Sequence, residues 1–154
     1  MISKSFFRKK EIPLIFQKYL IQKEYPGTEC KFERNRLIWI GMIKPTPLSR
    51  EYKIKIVCKS GVRPKVMMIG EKILGIEKPD FPHHFEIDPE KQMVVMCLHM
   101  PHEFDYSLSI AQTIIPWAQE WLYFYEIWLA TGEWHGGGPV SYTHLRAHET
   151  RGNL

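Results

Sequence analysis

The feature that most constrains the fold is a series of four short apolar segments, rich in β-branched and aromatic residues, between residues 30 and 70. Turn formers such as Arg-Asn, Pro-Thr-Pro and Ser-Gly-Val-Arg-Pro separate the segments CKFER, LIWIGMI, EYKIKIVC and KVMMIG. This pattern predicts an antiparallel meander of four strands. From Tyr52 to Ile56, apolar and charged side chains alternate. One face of that strand should therefore contact a core, and the other should contact water.

Apolar residues at helical spacing precede and follow the meander. Between Glu11 and Tyr25 they recur every three or four residues and predict a first helix. The same spacing from Ser107 to Thr131 predicts a second helix, with a kink at Pro116 and a C-cap at Gly132. The apolar faces that should pack against the core are Ile12, Ile15, Phe16, Tyr19 and Leu20 in the first helix, and Ile110, Ile114, Trp117, Trp121, Tyr125 and Trp128 in the second.

Residues 70–106 contain several prolines and most of the histidines, with only brief apolar runs. We interpret them as a long functional loop interrupted by one short strand, MVVMCL. The order of helix, meander, loop and helix predicts an α+β fold. A chain of 154 residues is long enough for one core and short for two, so a single domain is expected.

The C-terminal stretch differs in character from the rest of the chain. VSYTHLRAHET, from Val140 to Thr150, resembles the translation of an adapter used in transposon-based sequencing libraries. We therefore expect the domain to cover residues 1–139, with native residues lost after Pro139, and residues 140–154 to be a non-native tail. His144 and His148 have the spacing of a helical metal pair, but the tail is assigned no function.

Composition narrows the class of protein further. The net charge of +4 is a mild excess, and no apolar stretch approaches the roughly 20 residues that span a bilayer. Neither a nucleic-acid nor a membrane partner is therefore expected. The three cysteines lie at wide spacings with no CxxC pair, which argues against a disulfide framework. Without a secretion signal or a Gly-rich nucleotide loop, the expectation is a cytoplasmic protein with no cofactor.

Several segments, in order, resemble ubiquitin-conjugating enzymes over about residues 10–135. LIWIGMIKPTPLSREYKIKI resembles the family's second and third strands, and KSGVRPKVMMIG resembles its Pro-containing turn into the fourth strand. VVMCLHMP is similar to the catalytic segment, and EFDYSLSIAQTI to the Trp-Ser-Pro element, with Phe104 in place of the tryptophan. The resemblance implies a ubiquitin-conjugating-enzyme-like fold and places Cys97 at the nucleophile.

A closer resemblance is to the bacterial ubiquitin-conjugating-like proteins of cyclic-oligonucleotide-based anti-phage signalling systems (CBASS). TIIPWAQEWLYFYEIWLATGEWHGGG resembles their C-terminal helix and its Gly-rich end. This implies a transferase of antiviral defence whose cysteine forms a thioester with a protein C-terminus, that of a cGAS-like nucleotidyltransferase, and passes it to an amine. Charging would then come from another protein or from a preformed reactive intermediate.

Cys97 suits this chemistry because a thiolate is a strong nucleophile near neutral pH and also a good leaving group. The structural alternative is that Cys97 only packs in a short strand, since free cysteine is among the most buried residue types. Cys30 and Cys58 lie within predicted strands without histidines close in sequence, and packing is the favoured interpretation for both.

His83 and His84 fall where ubiquitin-conjugating enzymes carry a His-Pro-Asn element, which HHFE replaces here. The family's asparagine is thought to stabilise the thioester oxyanion. A histidine, with His84 preferred, would either donate that hydrogen bond or hold the loop in shape. The missing asparagine also motivates the alternative function, a binding module that keeps the fold without catalysis.

Candidate bases follow Cys97 in the sequence. His99, His102, Glu103 and Asp105 could each deprotonate the thiol or the incoming amine, and their spacing does not choose among them. The same region offers nitrogen and sulfur ligands of the kind that zinc prefers. We favour no metal site, because the paired ligand spacing of a structural zinc site is missing on one side.

Overall fold

The computed structural model describes residues 9–137. Within this range the chain forms two helices, six strands and a short 3-10 helix at Pro101–Glu103. The predicted α+β class is therefore confirmed, while the adapter-like residues 140–154, with His144 and His148, lie outside the described range. The helices and strands are α1 (Leu14–Glu24), β1 (Glu29–Glu33), β2 (Arg36–Ile43), β3 (Tyr52–Lys59), β4 (Val62–Ile69), β5 (His84–Asp88), β6 (Met93–Met96) and α2 (Ile114–Thr131).

All six strands belong to one antiparallel sheet in the order β1-β2-β3-β4-β6-β5. The first four are the predicted meander. The prediction of one lone strand in the following loop was wrong, because β6 pairs with β4 on one side and with β5 on the other. The segment of β5, HFEID, has no buried residue and flanking prolines, so its sequence lacks the apolar signal of a strand.

The predicted core face of α1 was also wrong. Ile15, Phe16 and Tyr19 are exposed, Ile15 by as much as 61%, whereas Leu14, Gln17 and Ile21 are buried. The Gln17 amide is 0% exposed and reaches the segment before α2. Its Nε2 donates to the Leu108 carbonyl at 2.8 Å, and its Oε1 accepts from the Ile110 amide at 2.9 Å. Because both ends of this side chain are hydrogen-bonded, its burial costs little.

The C-terminal helix α2 begins seven residues later than predicted, at Ile114 rather than Ser107. Pro116 lies in its first turn, where backbone amides have no partner within the helix, so it removes no helical hydrogen bond and the physical basis for the predicted kink is missing. Gly132 ends the helix in the left-handed conformation, with φ of 82°, as predicted.

The core lies between the inner face of the sheet and α2. The aromatic stripe of α2 is confirmed as core, since Trp121, Tyr125 and Trp128 are buried in a cluster with residues of β2, β3 and β4. Only Trp117 of the predicted face is partly exposed. In residues 9–137, no helix combines the length and apolar character that crossing a membrane requires.

Candidate active site

Cys97 directly follows β6 and is held by the backbone of the neighbouring β5 hairpin. Its amide donates to the His83 carbonyl at 3.0 Å. The same carbonyl accepts the indole N–H of Trp121 at 3.1 Å, so one oxygen links the cysteine backbone to α2. The backbone of His83 is left-handed, with φ of 42°. Non-glycine residues adopt this strained conformation rarely and preferentially at functional sites.

A groove of about 300 Å³ lies beside Cys97. The cysteine is only 5% exposed, but it forms part of the wall of this open groove and is outside the main core cluster. A thiol at such a position needs little movement to meet a partner in the groove. The other lining residues are His83, Leu98, His99, Glu103, Trp117, Glu120, Trp121, Phe124, Trp134, Gly136 and Gly137.

The two neighbouring histidines are placed differently. His83 lines the groove, and its ring stacks on Trp134 with centroids 4.5 Å apart and planes at 21°. His84 is not among the lining residues; its ring meets Phe81 edge-on, with centroids 5.7 Å apart. Of the two histidines, His83 lines the groove beside Cys97 and His84 does not.

His99 is buried in the groove wall in a defined tautomer. Its Nδ1 lies 2.7 Å from the Met100 carbonyl oxygen. Because a carbonyl oxygen can only accept, Nδ1 carries the proton and Nε2 is left with a lone pair. Burial and the nearby charge of Arg63 lower the pKa of His99 below its ordinary value, against the opposing effects of the Met100 carbonyl and Glu103. A neutral imidazole of this kind can accept a proton.

The environment of Cys97 works against its ionisation overall. Burial raises the pKa of the Cys97 thiol, the positive charge of Arg63 lowers it, and the negative charge of Glu103 raises it. The resting thiol is therefore protonated at neutral pH. For this thiol to ionise at neutral pH, a base must lie close by.

The remaining candidate bases are spread apart. Glu103 lines the groove and accepts a hydrogen bond from the Met100 amide at 2.6 Å. His102 is exposed on the short 3-10 helix, outside the groove lining. Asp105 is also exposed and accepts hydrogen bonds from the backbone and hydroxyl of Ser107, which lower the pKa of its carboxyl. Of the four residues considered, the structure brings His99 and Glu103 to the groove.

No set of three or more histidine, cysteine, aspartate or glutamate side chains within residues 9–137 is arranged to hold a metal ion. The zinc alternative therefore lacks a donor set in that range. Cys58 is buried and belongs to the core cluster, as the packing interpretation predicts. Cys30 is partly buried and packs against the same cluster.

Two parts of the site were missed in the sequence. Arg63, on β4, donates through its guanidinium to the His99 carbonyl. Trp134 and Gly136 follow α2 and pack back onto the groove; a Cβ at Gly136 would lie only 2.7 Å from the Phe124 ring. The WHGGG segment was a usable signal, because glycines permit such close approach, whereas nothing local marks Arg63.

The comparisons with known proteins agree with the resemblance found in the sequence. The search of curated proteins finds no significant match. The family model E2-CBASS, described as type II CBASS E2 protein, matches residues 17–141, a range that includes the meander, Cys97 and α2. Since this range covers most of the chain, the protein belongs to the type II CBASS E2 family.

Proposed function

We propose that the protein is a cysteine acyltransferase of anti-phage defence, in which Cys97 carries a protein C-terminus as a thioester and passes it to an amine. The donor is the C-terminus of a cGAS-like nucleotidyltransferase, the partner that the family resemblance implies. The observation that carries the proposal is the groove that Cys97, His83 and His99 line together, with a His99 whose Nε2 does not carry the ring proton.

The first step is attack of Cys97 on an activated acyl carbonyl, either a thioester or a mixed anhydride. His99 Nε2 takes the thiol proton as the sulfur–carbon bond forms, and the leaving group departs with its electron pair. An imidazole N–H of His83 is a donor of the kind that the developing oxyanion needs. This assignment replaces His84 with its neighbour, because His83 lines the groove.

The second step is attack of the target amine on the thioester carbonyl. A carbon–nitrogen bond forms, the sulfur–carbon bond breaks, and Cys97 leaves as a thiolate. The amine must lose a proton in this step, and we assign its acceptance to His99 or Glu103, which both line the groove. The carboxylates of Glu103 and Glu120 make the groove favourable for an incoming ammonium group.

The test uses a synthetic thioester of the nucleotidyltransferase C-terminal peptide, so that no activating enzyme is needed. The wild-type protein should exchange the thioester onto itself and gain the mass of one acyl group, which excess reductant then removes. Cys97→Ala should show no gain. Cys58→Ala, the matched loss of a buried thiol, should behave like wild type if folded by circular dichroism.

Absence of a reductant-sensitive acyl adduct in wild type, or its persistence in Cys97→Ala, would contradict the proposal. The non-catalytic binding module is the alternative that would then gain. It predicts that Cys97→Ala retains full protection against phage in cells, whereas the acyltransferase predicts complete loss with the folded protein still present.

A further inference from the structure

Arg63 joins β4 to the segment that carries the candidate base. Its guanidinium donates to the His99 carbonyl across a sequence separation of 36 residues. The start of the same strand is tied to this segment a second time, because the Tyr106 hydroxyl donates to the Val62 carbonyl at 2.7 Å. The residues after Cys97 are thus fastened to the start of β4 at two points.

The guanidinium is also held from β5. Its central carbon lies 5.0 Å from the centroid of the Phe85 ring, within the range of a cation–π contact. No carboxylate oxygen in the described chain lies within salt-bridge distance of Arg63. The positive charge is therefore fixed in place without being neutralised by an ion pair.

The charge balance around Cys97 shows what this cation contributes. Burial and Glu103 both raise the pKa of the thiol, and Arg63 is the charge that lowers it. Burial, and after it the same cation, lower the pKa of His99, which keeps the imidazole neutral. The titratable groups that line the groove with Cys97 are His83 before β5, His99 after β6, Glu103 in the 3-10 helix and Glu120 in α2.

We infer that Arg63 is a positioning residue of the acyl-transfer site: its guanidinium, held between the His99 carbonyl and the Phe85 ring, fixes the backbone of His99 and keeps a positive charge beside the segment that carries Cys97. This inference rests on the proposed function and adds to it a residue outside the groove lining. Cys97 leaves as a thiolate when the amine attacks, so a fixed cation near it assists both the formation and the breakdown of the thioester.

The experiment measures alkylation of Cys97 by iodoacetamide as a function of pH, followed by peptide mapping so that each cysteine is read separately. Arg63→Met keeps the length of the side chain without its charge. Its alkylation curve should shift to higher pH, with Cys97 reacting about threefold to tenfold more slowly at pH 7.5. Arg63→Lys keeps the charge and should restore most of the rate.

The matched control is Lys59→Met, which removes an exposed cation from the adjacent strand β3. Its curve should coincide with that of wild type. An Arg63→Met curve that coincides with wild type would overturn the inference, and so would an equal shift in Lys59→Met. If Arg63→Met does not fold, Arg63→Lys tests the inference instead. An alkylation curve near that of wild type would support the role of charge, and a curve shifted to higher pH would contradict it.

Alkylation requires no acyl donor, so the two proposals fail separately. A shifted curve in Arg63→Met together with no acyl transfer by wild type would retain the inference about charge and remove the proposed function. Acyl transfer by wild type, with alkylation curves that do not shift in Arg63→Met, would support the proposed function and overturn the inference about Arg63.

Discussion

Cys58 and Cys97 are exposed to almost the same small extent, 1% and 5%, yet they lie in different chemical surroundings. Cys58 lies near the C-terminal end of β3, on the face that packs into the main core cluster. Cys97 lies outside that cluster, on the wall of a groove shared with two histidines. The comparison shows that low exposure alone does not distinguish the two cysteines; the residues that surround each sulfur atom do.

The pKa values of the two thiols follow the same division. Burial raises the pKa of Cys58 to about 12, and the side-chain interaction with Tyr106 offsets only part of this effect. For Cys97 burial is again the largest influence, but the cation of Arg63 opposes it. The following predictions are ways to sharpen or break this contrast.

The largest expected effect is on the relative alkylation rates of the two thiols. In the native protein at pH 8, Cys97 should react with iodoacetamide more than about 100-fold faster than Cys58, because Cys58 has almost no thiolate and no access to solvent. Site-resolved mass spectrometry measures both rates. In denaturant the ratio of the two alkylation rates should fall to about one. Equal rates for the two thiols in the native protein would contradict the difference in their surroundings.

A smaller effect is expected from His99→Gln, which keeps a hydrogen-bonding side chain but loses the base. Single-turnover acyl transfer should slow by about 100-fold. Because the pKa of His99 is lowered from its ordinary value of 6.5, the imidazole remains neutral below pH 6.5, and wild-type transfer should decline only at more acidic pH. That acidic decline should disappear in the variant.

His102→Gln is the matched control for His99→Gln, because His102 is exposed and outside the groove. Its rate should remain within about twofold of wild type, as for most surface substitutions. Equal losses of the transfer rate in the two histidine variants would contradict the assignment of His99 as the base.

The smallest expected effect comes from the glycines after α2. Gly136→Ala places a Cβ 2.7 Å from the Phe124 ring and should lower the free energy of unfolding by about 1–3 kcal/mol. Gly137→Ala meets nothing within 4 Å and should change it by less than about 0.5 kcal/mol. Urea unfolding measures both, and equal stabilities would show that this segment does not pack as described.

The same glycine pair also bears on the contrast between the thiols. Displacement of the segment in Gly136→Ala should disturb the stack of Trp134 on His83 and change the alkylation rate of Cys97, leaving that of Cys58 unchanged. A change at Cys58 instead would indicate general loosening of the core.

The parts of the fold that the sequence predicted are those with a local signal. The alternation from Tyr52 to Ile56 and the apolar stripe of α2 each identify an element and its buried face. In α1 the helical spacing of the apolar residues was recognised, but the wrong face was predicted to be buried. The reason is that apolar residues lie on nearly every side of LIFQKYLI. A buried Gln17, satisfied by the backbone of residues 108 and 110, decides which face packs.

The site was predictable only where neighbours in sequence are also neighbours in space. Cys97 and His99 could be found in this way, since only Leu98 separates them. The choice between His83 and His84 could not, because successive residues near a strand point to different sides and the left-handed backbone of His83 has no marker in the sequence. Arg63 reaches His99 only through pairing of β4 with β6.

The most direct measurement is the position of the acyl group after exposure of the intact protein to the peptide thioester. Tandem mass spectrometry should find it on Cys97 alone, with Cys30 and Cys58 unmodified. An acyl group on either of those cysteines at a comparable level, or none on Cys97, would contradict the assignment of Cys97 as the nucleophile.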